Sequence, residues 1–379
     1  MLRKFILTSL AVPAALFTSV AAAQDAAEPL TWQGYTLENL GNADGVSVRE
    51  INGTEVLTVT RTAVMLEGSE FSEGVLEFDI AFDAARGFGG PIWHAQEDGS
   101  QEYFYIRKHK SGLPDAGQYT PVRNGLTAWQ IYTDGNGIAP FSFTYEGWNR
   151  FKMVVENDKA DIYFNGSPTP VLHIPDLASD NGSGRLGFNA SGPNGEIRIA
   201  NLVTRPLRDG ETIVGTPKAV RQAPTGTITS WLVSERFAED AIAGHLALPS
   251  ELAALPSLGT VNVEPFGIAD ITRVTGPDDG ADTVLVSNRI SADTAKRVRL
   301  QFGYSDRVRL FLNGELVFDG SAGFRDRDFF FLGTIGFNDS VVLDLQAGEN
   351  MLTAAVSETF GGWGFAGAIA DRDGLTIEP

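Results

Sequence analysis

From about residue 30 to residue 207, apolar and polar positions alternate with a period of two, the mark of half-buried strands. In 71–82 (FSEGVLEFDIAF), Leu76, Phe78, Ile80 and Phe82 fall on one face and Glu77 and Asp79 on the other. Residues 102–109 (EYFYIRKH) alternate in the same way, and 55–60, 128–132, 150–155, 160–164, 185–189 and 196–203 continue the series. Turn pairs separate the runs, among them Asn157-Asp158, Asn165-Gly166 and Pro193-Asn194-Gly195. Regular short strands with this spacing predict a sandwich.

A polar stretch at 208–227 with Gly210, Gly215, Pro217 and Pro224 reads as a linker across which few core contacts should pass. Beyond it, 298–304, 308–312, 315–318, 341–345 and 350–356 read as strands, with turns at Asn313-Gly314 and Gly348-Glu349. The Ala- and Leu-rich segment 237–255 allows one or two short helices. The pattern therefore predicts an all-β chain of two β-sandwiches, at 30–207 and 228–379, each able to fold alone.

Composition changes this picture in three ways. First, Arg3 and Lys4, an apolar run from Phe5 to Val20 and Ala21-Ala22-Ala23 form the three parts of a secretory signal peptide at 1–23, cleaved near Ala23. This predicts a secreted or periplasmic protein, bacterial in character, with no integral membrane segment after cleavage. Second, the 379 residues carry 29 Lys and Arg against 48 Asp and Glu, a net charge of −19 that repels nucleic acid and anionic membrane. Third, the absence of cysteine excludes disulfides, a thiol nucleophile, thiolate zinc and iron–sulfur clusters, and the four histidines are scattered.

The order of motifs in the first block resembles laminin-G-like and concanavalin A-like domains. Trp148 to Glu156 followed by Ala160 to Gly166 is similar to their strand–turn–strand hairpin ending in Asn-Gly, and 184–188 and 196–202 resemble their closing strands. Residues 105–132 resemble keto-disaccharide hydrolase-like relatives of this fold. In the second block, 310–318, 345–353 and 363–365 are similar to galactose-binding-like jelly rolls, where such residues mark hairpin and strand positions. The resemblance implies jelly-roll sandwiches and a carbohydrate partner.

If Phe104 and Ile106 face the core, Tyr103, Tyr105, Arg107 and His109 share the opposite face. Aromatic planes with planar hydrogen-bonding groups suit a sugar, and Trp93, His94, Asp115, Gln118, Tyr119 and Trp129 are candidates to complete a groove. Glu77 and Asp79 are the best paired carboxylates, about 6.5–7 Å apart on one face. The resemblance bears on them too: concanavalin-like glucanases carry E-x-D-x-x-E, and here Phe82 replaces the last acid. Asp278, Asp279 and Asp282, with Asp326 and Asp328, are oxygen-rich loop residues that could hold a structural Ca2+; no other cofactor is expected. The resulting expectation is an exported carbohydrate-binding protein. A glycoside hydrolase and a surface adhesion or structural protein are the alternatives.

Overall fold

The computed structural model describes residues 28–133, 136–278 and 280–379; the signal segment 1–23 lies outside them. Among the described residues, the chain from 31 to 205 forms a nine-stranded and a seven-stranded antiparallel sheet. The nine-stranded sheet runs Thr31–Trp32, Tyr35–Asn39, Thr62–Leu66, Arg185–Ser191, Phe88–Ala95, Gln101–Arg107, Gly117–Arg123 and Leu126–Thr127, with Ile138–Ala139 also on Gly117–Arg123. Its partner centres on Gly74–Ala81, flanked by Asn149–Glu156 and Glu196–Arg205.

Inward residues of both sheets form one apolar core: Trp93, Phe104, Ile106 and Phe188 meet Phe78, Ile80, Phe151 and Ile199. Phe78 stacks on Phe151 at 4.6 Å and meets Phe188 edge-on at 5.1 Å. The alternation read at 71–82 and 102–109 is thus obeyed.

The chain from 230 to 378 forms a second sandwich, a seven-stranded sheet against a four-stranded one, around Trp231, Phe302, Phe365 and Trp363. The helical part of 237–255 is one turn of α-helix, Ser250–Ala253, and one of 3-10 helix, Glu239–Ala241.

Two sequence expectations require correction. Residues 128–132 form a turn and not a strand. Ile131 and Tyr132 donate their amides back to Ala128, and Gln130 donates to Gly361 of the second sandwich. That turn also overturns the expectation of few shared contacts. Ala128 and Ile131 are buried in one cluster with Phe266, Ile268, Ile335 and Ala366. Beside it, Arg123 Nη1 lies 2.6 Å from Asp270 Oδ2 with both side chains buried, and Asn124 Nδ2 donates to Thr272 O at 3.0 Å. The 208–227 segment carries no strand, yet it is tied down: the amides of Val214 and Gly215 both donate to Asp161 Oδ2 at 2.8 Å.

The seam between the sandwiches holds a buried polar knot. Ser305 Oγ lies 3.1 Å from Gln130 Oε1, 3.0 Å from Glu358 Oε2 and 3.3 Å from Asp306 Oδ1. One hydroxyl proton faces three acceptors. Burial, reinforced by the Asp306 charge, pushes the Glu358 carboxyl up to about 8, so at neutral pH Glu358 is itself a donor.

Candidate functional site

Strand pairing sets the site. Across the outer face of the nine-stranded sheet, Ala63 pairs with Asn189, Asn189 with Gly90, and Tyr105 with Gln118. One step along, Phe88 pairs with Arg107 and Ile92 with Tyr103. Gly90 is required there, because a Cβ would strike the carbonyl of Phe104 on the neighbouring strand. The row therefore has no side chain of its own between Asn189 and Tyr105, and the Tyr103 hydroxyl reaches across the gap toward Asn189 and Ser191. Beyond Asn189 the face opens into a depression of about 500 Å3, lined by Leu40, Arg61, Ala63 and Ser191.

The floor is a polar lattice. The Tyr105 hydroxyl donates to Gln118 Oε1 at 2.8 Å and receives Arg107 Nη2 at 3.2 Å, and Arg107 Nη2 also donates to Gln118 Oε1. Arg107 Nη1 donates to Asp115 O at 3.0 Å. Gln118 Nε2 donates to the carbonyls of Trp129 and Tyr132 at 2.8 and 2.9 Å, so its amide is fully used and its orientation fixed. The Arg107 guanidinium lies over the Tyr105 ring at 5.1 Å, and Tyr103 packs on Tyr105 at 5.3 Å.

This face is less open than the sequence implies: Tyr103 and Tyr105 are each 6% exposed. Phe88 and Trp129 stand half-buried as rims above a floor of Met65, Ile92, Tyr103, Tyr105 and Val122. Burial pushes the Tyr105 phenol up to about 12 and that of Tyr103 higher still, so both remain neutral.

At one corner, the His109 ring stands edge-on to Phe88 at 5.8 Å. Burial, then the charges of Lys110, Arg86 and Arg107, lower its pKa. Asp115 pairs with Lys110 Nζ at 2.5 Å. Burial opposes its ionisation, but Lys110 and Arg107 prevail and hold the carboxyl below its usual range.

Tyr103, Tyr105, Arg107, His109, Asp115, Gln118 and Trp129 are thus brought together. Trp93, His94 and Tyr119 are not: strand parity turns Trp93 and Tyr119 away, and a register shift beside His94, with its positive φ, turns the His94 ring toward Phe71. Ile92 and Gln118 face outward, so Trp93 and Tyr119 point into the inter-sheet core. Tyr119 instead donates to the buried Glu102 at 2.6 Å and receives the Ala178 amide at 2.7 Å. His94, at φ 52°, is buried with Nε2 2.8 Å from Ser72 O.

Glu77 and Asp79 lie on the outer face of the opposite sheet. There Arg150 binds both, at 2.6 and 3.2 Å, and Arg205 lies 3.6 Å from Glu77. Of the calcium candidates, Asp278 lies 3.6 Å from Arg236, Asp282 Oδ1 accepts from the Glu239 amide at 3.0 Å, and Asp279 is outside the described residues. Asp326 accepts from Ser321, and Asp328 caps two backbone amides. Among the described residues, no group of three His, Asp or Glu is arranged to hold a metal ion.

The sequence reading missed Phe88, Asn189 and Ser191. Alternation with the core residues Leu186 and Phe188 would have placed Asn189 outward. It also missed Phe324 and Phe360 of the second sandwich, whose rings lie 6.4 and 5.7 Å from Trp129. Gly361, at φ 111°, permits that approach: a Cβ there would meet Trp129 Nε1 at 2.9 Å.

No family model and no curated protein matches the sequence. Among solved structures, the chain is similar to the carbohydrate-binding module CBM66 of Bacillus subtilis, at 12% identity, covering 44% of this chain and 92% of that one with a TM-score of 0.32. It is also similar to a Bacillus subtilis protein of unknown function with a galectin-like fold (13% identity, 45% and 90% covered, TM-score 0.33). A third is a Bacillus licheniformis β-glucanase (11% identity, 47% and 95% covered, TM-score 0.32). Each of these three matches spans less than half of this chain.

Proposed function

We propose that this chain is an exported carbohydrate-binding protein and that the outer face of the nine-stranded sheet is its groove. The observation that carries the reading is the Tyr105–Arg107–Gln118 lattice beside the half-buried Trp129. A sugar offers C–H faces to aromatic planes and hydroxyls to planar donors and acceptors; the half-buried Trp129 and Phe88 supply the planes, Asn189 a planar amide, and the lattice beneath fixes their geometry. Preorganisation by the lattice lowers the ordering cost of binding.

Binding is favoured over hydrolysis by the acids that face the groove, since the protonated Glu358 and its neighbour Asp306 are buried in the seam, at 3% and 4% exposure. Glycoside hydrolysis needs a carboxylic acid that gives up a proton beside a second carboxylate. Asp115 at the groove is held ionised by Lys110 and Arg107. Glu77 and Asp79 are separated from the groove by the thickness of the sandwich and are bound by arginines. Export rests on the 1–23 pattern in the sequence. Among the described residues no helix is long and apolar enough to cross a membrane.

A glycan array probed with the mature protein tests this. Retention of at least one glycan class is expected, with Trp129→Ala and Asn189→Ala each weakening it roughly tenfold, about 1.4 kcal/mol. Failure to retain any glycan, or retention that both variants leave unchanged, would overturn the reading.

A further inference from the structure

The most exposed large apolar side chains of the C-terminal sandwich include a cluster beside the groove. Phe330 is 85% exposed, Phe329 66% and Phe360 51%. Contiguous exposed apolar surface marks a binding site, whereas scattered single residues do not.

These rings form an unbroken path. It starts at the groove, where Trp129 packs against the Tyr103 and Tyr105 cluster. It continues to Phe360 and Phe324 at 5.7 and 6.4 Å from Trp129. The Arg325 guanidinium then bridges Phe324 and Phe329 at 4.9 and 4.4 Å. Phe329 meets Phe330 edge-on at 5.4 Å.

The outer part of the path is held in place. Asp328 Oδ1 accepts the amides of Phe330 and Phe331 at 2.7 and 2.8 Å, and Arg327 pairs with Asp339 while lying over Phe331 at 5.3 Å. The rings are therefore presented to solvent by a fixed loop.

We propose that the groove continues along this path, so that the protein takes an extended polysaccharide chain, with the C-terminal sandwich supplying the outer subsites through Phe324, Phe360, Phe329 and Phe330. This rests on the glycan reading of the groove and names its ligand class. A chain of sugar rings matches a line of spaced aromatic side chains with Arg325 set between them, the guanidinium hydrogen-bonding its hydroxyls while the rings cover its C–H faces. Continuity with the groove argues for one long occupant. A net charge of −19 argues against an anionic lipid surface as that occupant.

The test uses the full mature chain and the double variant Phe329→Ser/Phe330→Ser, whose exposed positions leave both cores intact. The probes are glucan, mannan, xylan and alginate, each graded from disaccharides to polymer. Wild-type affinity is expected to rise with chain length. The variant should lose most of that gain, so that its ratio of long- to short-chain affinity falls roughly tenfold.

An unchanged ratio would overturn the inference, as would a wild-type protein that binds disaccharides as tightly as polymers; both results leave the groove reading standing. Retention of no probe by the wild type would overturn both readings. Phenylalanine-dependent capture by phosphatidylcholine vesicles, without any chain-length effect, would replace the polysaccharide with a lipid surface.

Discussion

Over residues 103–107, the two faces of the Gln101–Arg107 strand are buried almost equally deeply by opposite means. Inward, Phe104 and Ile106 meet the apolar side chains of the facing sheet. Outward, Tyr103, Tyr105 and Arg107 are covered by their own hydrogen-bonded neighbours and by Trp129. The inward face is held by contact area, which is tolerant of direction. The outward face is held by donors and acceptors with fixed partners, and those groups are costly to bury unless all are satisfied. Equal burial therefore has different meanings: one face is spent on stability, and the other keeps directional groups at the edge of solvent.

The comparison breaks most visibly if the inner face is cut. Phe104→Ala should lower stability by about 3–5 kcal/mol, through lost contacts and an unfilled cavity. Urea unfolding measures this. Because the damage is to the shared core, glycan affinity of the fraction that remains folded should change little. A loss below about 1 kcal/mol would mean that the core relaxes around the gap.

On the outer face, Gln118→Leu keeps the bulk and removes the amide. It strands the Trp129 and Tyr132 carbonyls and the Tyr105 hydroxyl proton and costs Arg107 Nη2 one of its two acceptors, and should lower stability by about 1–3 kcal/mol. Glycan binding on the array should fall further than stability does. Equal loss of both, or retained binding, would show that the lattice serves packing alone.

The smallest expected effect is at the seam, where polar burial depends on a proton. Glu358 is raised from 4.5 to about 8 in the folded chain, so the native state keeps a proton that the unfolded chain releases. Its contribution is full below about pH 4.5 and is lost as pH rises through about 8. Thermal unfolding should show about 1 kcal/mol less stability at pH 8 than at pH 7, with Glu358→Gln flattening the slope. A wild-type profile that rises across this window would contradict the assignment.

Much of this was legible from residue order. Parity placed Phe104, Ile106, Phe78 and Ile80 inward and Tyr105, Arg107, Glu77 and Asp79 outward, because a strand buries alternate residues whatever its neighbours. The Asn-Gly turns are real, with Asn165 and Gly166 both at positive φ. Trp93 and Tyr119 were misplaced because each sits on a strand where apolar residues occupy both faces, and parity then has no reference. Residues 128–132 look like a strand locally, but their amides are claimed by a turn and by the second sandwich. Phe324 and Phe360 reach Trp129 only through the docking of the two sandwiches, which no local pattern records.

Gln118 has a further role. Its amide grips the carbonyls of Trp129 and Tyr132, the two ends of the turn that carries Gln130 and Ile131 into the seam. The floor of the groove and the joint between the sandwiches are therefore fastened to the same short loop. Whatever steadies Trp129 from the groove side also steadies the joint, and whatever loosens the joint frees Trp129. If a bound chain steadies Trp129, thermodynamic reciprocity requires that docking raise its affinity by the same factor by which occupancy strengthens docking: the chain would then act as a brace between the sandwiches, and the second sandwich would tune affinity even for sugars it never touches.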